Sequence, residues 1–128
     1  DNPKLGHITT FGGNPVIATA AHTTIVELMA GKWIEGIAKK EKLFRSQRQH
    51  PLIKTIRGKW LMLAPIFGDS RIPALLVPRC IEKGLLLFWL LWEKKAVRIS
   101  PPLNISDDDI VKGCQIINET LDEIHSRC

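Results

Sequence analysis

Two stretches of this 128-residue chain place polar groups where they can take hold of an anion. The first is Gly6-His7-Ile8-Thr9-Thr10-Phe11-Gly12-Gly13-Asn14-Pro15. Two hydroxyls followed by two glycines at a helix start can set side-chain O–H and backbone N–H groups around a phosphate, with the positive end of the helix dipole behind them. The same residues also describe a capped helix entered through a flexible turn. The second is Arg98, the one charged residue between Val97 and Ile99 in an apolar strand that runs into Ser100-Pro101-Pro102-Leu103. A guanidinium on a rigid strand beside a proline-stiffened loop has the forked geometry to take a carboxylate through two hydrogen bonds. On the solvent face of a sheet, the same arginine would simply pair with a neighbouring acid.

Other chemistry is thinly represented. His7, His22, His50 and His125 lie far apart and read as packing or surface histidines. No Ser, His and Asp set, HExxH, GxGxxG or P-loop stands out. Cys80, Cys114 and Cys128 are widely spaced, with no CxxC and no histidine at ligand spacing, so neither a disulfide framework nor a metal site is expected. Trp33, Trp60, Trp89 and Trp92 are not interleaved with basic residues along a strand pair, and are expected as core or interface anchors rather than base-stacking platforms.

Composition sets the class. Hydrophobic residues are 45% and charged residues 24%, near the globular average, which excludes disorder, collagen and low complexity. The length suits one domain. Lys and Arg number 18 against 13 acids, a net charge of +5. With no basic run longer than Lys39-Lys40 or Lys94-Lys95, this is a mildly basic surface and not a nucleic-acid tail. The longest apolar run, Leu85 to Trp92, falls far short of the roughly twenty residues of a membrane span, and Asp1-Asn2-Pro3-Lys4 does not open a signal peptide. The expected protein is soluble and intracellular, with no nucleic-acid or membrane partner.

The elements that must position these residues follow from periodicity. Asn14-Pro15 supplies an N-cap and a first-turn proline, and Val16, Ile17, Ala20, Ala21, Thr24, Ile25, Leu28 and Met29 recur as a core-facing stripe, so a helix is expected over about 15–30, stopped by Gly31. A second helix is expected over about 33–47, weakened by Gly36. Leu52 to Arg57 and Trp60 to Ala64 read as a hairpin about a Gly58-Lys59 turn. Ser70 is a candidate N-cap for a helix reaching Gly84, and Pro78 predicts that this helix is kinked or begins late. A buried strand over Leu85 to Trp89, a Glu93-Lys94-Lys95 turn and a strand over Ala96 to Ser100 follow. Ser106 and Asp109 have capping-box spacing for a last helix, whose buried stripe is Ile110, Val111, Cys114, Ile117, Leu121 and Ile124. The order helix, helix, strand, strand, helix, strand, strand, helix makes the fold α+β, with a sheet of about four mainly antiparallel strands and helices packed on one face.

The motifs together resemble a known family. Thr9-Thr10-Phe11-Gly12-Gly13-Asn14-Pro15, Arg57-Gly58-Lys59 before Leu61-Met62, Gly84-Leu85-Leu86 and Val97-Arg98-Ile99-Ser100-Pro101-Pro102-Leu103 resemble, in order and spacing, the C-terminal part of class-III pyridoxal-phosphate aminotransferases of the acetylornithine and ornithine type. The resemblance spans nearly the whole chain. It implies the small C-terminal domain of a fold-type-I enzyme: residues 1–30 would finish the large cofactor domain and form the connecting helix, and 31–128 would be the small domain.

The resemblance also implies roles. Thr10, with Thr9 beside it, would reach the cofactor phosphate of the other subunit of a homodimer. Arg98 would hold the α-carboxylate of the amino-acid substrate. The family's Schiff-base lysine lies upstream of this window and Lys4 does not match it, so no catalytic residue is expected here and the chain alone is expected to be inactive. The parent would be a cytoplasmic enzyme moving an amino group from an ornithine-like amino acid to 2-oxoglutarate. The alternative is a free-standing α+β anion-binding or regulatory module. Trp60 stands where the family usually has glycine, Pro65 is expected to interrupt its strand, and Pro78 its helix.

Overall fold

The computed structural model describes residues 9–47 and 50–126, so Lys4, Gly6, His7, Arg127 and Cys128 lie outside the described residues. The chain divides into two compact units, Asp1–Ile34 and Glu35–Cys128.

The first unit carries helix α1, Pro15–Ala30. Asn14 caps it as the sequence predicts: its side-chain carbonyl accepts from the amides of Val16 and Ile17, at 3.0 and 3.3 Å. The helix stops at Gly31, but the left-handed residue that turns the chain is Lys32. The expected core-facing stripe is not covered, since no residue of α1 is buried and Val16 and Met29 remain 75% and 79% exposed. Apolar residues surround most of this helix, and a segment of that kind is made to be enclosed by protein on several sides.

The second unit is a four-stranded antiparallel sheet backed by three helices, in the order the sequence predicts. Helix α2 covers Ile37–Ser46, beginning four residues later than expected because Gly36 takes the cap position. Strands β1 (Ile53–Lys59) and β2 (Met62–Phe67) form the first hairpin, helix α3 spans Arg71–Glu82, strands β3 (Phe88–Leu90) and β4 (Glu93–Arg98) form the second, and helix α4 spans Asp107–His125. The sheet order is β1-β2-β4-β3.

Both hairpins turn at places other than those expected. The first turns at Trp60-Leu61 rather than Gly58-Lys59, and the second at Leu91-Trp92 rather than Glu93-Lys94-Lys95. The predicted buried strand over Leu85 to Trp89 is an exposed edge strand of three residues, with Phe88 and Trp89 half open to solvent. Pro65 does not interrupt β2. It pairs opposite Ile56 inside the strand, and the ladder from β2 to β4 shrinks to the pair Ile66 and Ala96 and an isolated bridge between Leu63 and Ile99, as a residue without an N–H requires. Helix α3 starts at Arg71 and runs on through Pro78. Ser70 makes no capping bond there, and the carboxylate of Asp69 accepts the Arg71 amide at 2.8 Å instead.

Helix α4 follows its sequence closely. Ser106 accepts from the Asp109 amide at 3.0 Å, and its hydroxyl donates to the Asp109 carboxylate at 2.7 Å. Of the predicted stripe only Val111 stays exposed. Ile110, Cys114, Leu121 and Ile124 meet Leu76, Val77 and Cys80 of α3 and Leu63, Phe67, Val97 and Ile99 of the sheet in one core. None of the tryptophans is in that core: Trp33, Trp60, Trp89 and Trp92 are 36, 54, 44 and 99% exposed. Among the described residues no helix is long and apolar enough to cross a membrane.

Candidate phosphate and carboxylate sites

The first candidate site is the turn before α1. Phe11 donates its amide to the Thr9 hydroxyl oxygen at 3.2 Å, Gly12 donates to the Thr9 carbonyl at 3.3 Å, and Asn14 donates to the Phe11 carbonyl at 3.1 Å. Gly13 makes the bend possible with φ +78°. Since Asn14 already takes the amides of Val16 and Ile17, the N–H groups of Phe11, Gly12, Asn14, Val16 and Ile17 are all engaged within the segment. An anion here would therefore meet the threonine hydroxyls and the amides of Thr10 and Gly13, which have no hydrogen bond to a described residue. Thr9 and Thr10 are both exposed, and the Thr10 hydroxyl has no hydrogen bond to a described residue.

The second candidate site lies in the other unit. Arg98 ends β4 opposite Phe88, the first residue of β3, and its guanidinium lies 5.1 Å from the centre of the Phe88 ring. Val97 and Ile99 on either side are buried, so alternation turns Arg98 to the opposite face. Arg98 is exposed, and among the described residues no acid pairs with it. The phenyl ring holds the planar cation by a cation–π contact and leaves the donor edge uncommitted. Beside it, where β3 and β4 diverge, a cleft of about 230 Å³ is lined by Leu85, Phe88, Arg98, Ser100, Asp109 and Ile117 among others. Its walls are mainly aliphatic and aromatic. The charged groups in its lining are the Arg98 guanidinium and the Asp109 carboxylate, which accepts a hydrogen bond from the Ser106 hydroxyl.

Among the described residues, no histidine joins either site. His50 is buried, accepts the Leu52 amide on Nδ1 at 3.1 Å and lies with Nε2 3.2 Å from the Asp122 carboxylate, which is a packing role. His22 lies on the exposed α1. Among the described residues no group of three or more His, Cys, Asp or Glu is placed to hold a metal ion.

Sequence reasoning missed a latch beside the β1–β2 turn. Glu41 of α2 accepts the Trp60 amide at 2.6 Å, and Arg45 donates to Glu41 and to the carbonyls of Ile56 and Gly58, each at 2.9 Å. The i,i+4 spacing of Glu41 and Arg45 was readable as a helix pair; its reach to the hairpin was not.

With both sites placed, the relatives of the chain become informative. The sequence profile of the family described as Aminotransferase class-III matches residues 2–121. This chain belongs to the class-III aminotransferase family. An acetylornithine aminotransferase of Caldanaerobacter subterraneus is 34% identical over 123 residues, a match that covers 92% of this chain and 30% of that protein. An ornithine aminotransferase of Emericella nidulans is 30% identical over 125 residues, covering 92% of this chain and 27% of its own length. Among solved structures, the acetylornithine aminotransferase of Elizabethkingia anophelis superposes with a TM-score of 0.78 at 29% identity, over 96% of this chain and 33% of that one. This class-III aminotransferase chain thus spans about 30% of the length of the relatives it matches.

Class-III aminotransferases depend in general on pyridoxal phosphate. The described residues fit one end of that group: an open threonine hydroxyl beside a glycine turn suits a phosphate oxygen, while the engaged amides add little.

Proposed function

We propose that this chain is the C-terminal part of a pyridoxal-phosphate aminotransferase that moves an amino group from acetylornithine or a similar amino acid to 2-oxoglutarate. Residues 1–30 complete the large domain and its connecting helix, and 31–128 form the small domain. The observation that carries the reading is Arg98: a guanidinium on a rigid strand, stacked on Phe88 and with no acidic partner among the described residues, is poised for a substrate carboxylate. The names and matching order of the relatives support the choice of amino donor.

The bound cofactor would supply an electron sink at the carbon that bears the transferred amine, which is the α-carbon when 2-oxoglutarate is converted to its amino acid. The residues here orient and hold. Arg98 would donate two parallel hydrogen bonds to the α-carboxylate and so fix the orientation of the substrate, while the Phe88 ring restricts the guanidinium to one plane. The Thr10 hydroxyl, with Thr9 beside it, would donate to the phosphate across the interface of a homodimer. The 128 residues on their own contain no counterpart of the family's lysine, and are inactive alone. A cytoplasmic location accords with this metabolic role.

The test is made in the complete enzyme. Arg98→Gln should raise KM for both amino donor and oxo acid by about 10- to 100-fold, the loss of a charge-assisted bidentate contact. Thr10→Val should speed release of the cofactor and leave KM for amino acid little changed. An Arg98→Gln enzyme with unaltered KM values would refute the reading. So would a saturable visible absorbance band formed by the 128-residue chain with pyridoxal phosphate.

A further inference from the structure

The strand that ends at Arg98 runs into a loop with few bonds of its own. Ile99 exchanges backbone hydrogen bonds with Leu63 at 2.8 and 2.9 Å, and α4 begins at Asp107 behind its Ser106 cap. Between those anchors Pro101 and Pro102 have no N–H to give. Among the described residues the loop 100–105 has two hydrogen bonds. The Ile105 amide donates to the Pro102 carbonyl at 3.1 Å, and the Lys40 ammonium donates to the Leu103 carbonyl at 2.7 Å. The first bond stays inside the loop, whereas the second ties it to α2.

Lys40 is half-buried, and among the described residues no acid pairs with it. A bond from an ammonium to a carbonyl is charge-assisted, and partial burial keeps water from competing for it. Its neighbour Lys39 differs: it reaches Asp107 at 2.8 Å in an exposed ion pair, of the kind that contributes little. The loop matters because Ser100, Pro101 and Ile105 line the cleft beside Arg98. Phe88 and the Ile99 bridge fix the arginine from the sheet, and the bond from Lys40 fixes the wall next to it. Forked recognition of a carboxylate tolerates little displacement, since a shift of about 1 Å made far from the chemistry can cost about 100-fold.

We propose that Lys40 is a positioning residue: through the Leu103 carbonyl it holds the loop 100–105, and with it the wall of the cleft beside Arg98, where a substrate carboxylate needs it. This deepens the reading of Arg98 given above and rests on it. Neither the motifs nor the relatives assign anything to Lys40; the bond across 63 residues does.

In the complete enzyme, Lys40→Met keeps the aliphatic stem and removes the donor. KM for amino donor and oxo acid should rise about 5- to 10-fold, with kcat changed less than about two-fold and cofactor release unaltered. Lys40→Arg, which keeps a cationic donor of similar reach, should bring KM back to within about two-fold of the parent. Lys39→Met removes the same charge from the adjacent position and should leave KM unchanged. In the 128-residue chain, Lys40→Met should move the amide chemical shifts of residues 99–106 and leave those of β1 in place. Equal effects of Lys39→Met and Lys40→Met would show a general charge effect and overturn the proposal. Failure of Lys40→Arg to recover KM would overturn it too, as would parallel losses of kcat, cofactor retention and Tm in Lys40→Met, which mark a merely structural bond. If Lys40→Met leaves KM unaltered while Arg98→Gln raises it, this inference fails and the role of Arg98 stands. If Arg98→Gln leaves KM unaltered, both fail.

Discussion

The Glu41 carboxylate accepts the backbone amide of Trp60 at 2.6 Å, which ties the middle of α2 to the tip of the first hairpin. Trp60 sits at φ +56°, a left-handed conformation that a bulky L-residue adopts only when its surroundings impose it. Glu41 holds the amide, Arg45 holds the carbonyls of Ile56 and Gly58, and the Lys59 ammonium lies 4.9 Å from the centre of the Trp60 ring. The turn is thus fixed by a helix some twenty residues upstream rather than by its own sequence.

Acid should open this latch. Hydrogen bonds from Arg45, and next from the Trp60 amide, favour the ionised form of Glu41 and lower its carboxyl pKa below the ordinary value of 4.5. A carboxyl whose folded pKa lies below its unfolded one contributes stability that is complete above the unfolded value and is lost as pH falls through the folded one. Urea midpoints should therefore fall on acidification below about pH 5, with Asp69, lowered likewise by Arg71, contributing to the same slope. Glu41→Gln should be less stable at pH 7 and lose less on going to pH 3. An unchanged slope in that variant would count against the latch.

Trp60→Gly should stabilise the turn. Glycine takes the left-handed region without the Cβ penalty, worth about 1 kcal/mol, and keeps the amide that Glu41 binds. The loss of the exposed Lys59 cation–π contact offsets roughly half of that. Thermal unfolding of the two chains at pH 7 measures the difference, and a clear fall in Tm for the glycine variant would show that the indole contributes packing the turn needs.

Gly58 cannot be replaced so freely. Its φ is +102°, and a Cβ added there would come within 2.0 Å of the Met62 carbonyl oxygen. Gly58→Ala should cost about 3 kcal/mol, by strain and by displacement of the β2 backbone. Denaturant unfolding of the alanine variant checks this, and a loss under about 1 kcal/mol would mean that the hairpin can shift register to relieve the clash.

The contrast between Gly58 and Trp60 explains what the sequence could and could not convey. Alternation in Leu52 to Arg57 and short apolar runs beside polar turns announced the two hairpins, and the Ser106 and Asp109 spacing announced α4, because those signals depend on neighbours within a few residues. The turns were displaced because Gly58-Lys59 and Glu93-Lys94-Lys95 have turn-like composition, whereas Trp60-Leu61 is held by Glu41, a contact no local pattern encodes. Pro65 misled for a related reason, and so did Pro78 as far as a late start of α3 was expected from it. Each lacks a donor, but the sheet tolerates a sparse ladder at one and α3 continues through the other. Arg98 was readable as an isolated charge in an apolar strand; that Lys40 of α2 holds the loop after it required the fold, which brings together residues 63 apart in the chain.

The apolar surface of α1 makes a prediction about association. Val16, Ile17, Ile25, Val26 and Met29 are between 47 and 79% exposed on one helix, a concentration that soluble monomers rarely leave open to water. Covering that helix with a second copy removes these side chains from solvent at about 25 cal/mol per Å². The isolated chain should therefore form dimers or larger species in sedimentation velocity at micromolar concentration. Ile25→Glu, which puts a charge in the middle of the stripe while keeping a helix-forming residue, should shift the distribution toward monomer without changing the unfolding of the Glu35–Cys128 unit. A wild-type chain that sediments as a monomer at high concentration would show that this surface is tolerated in water, and the prediction would fail.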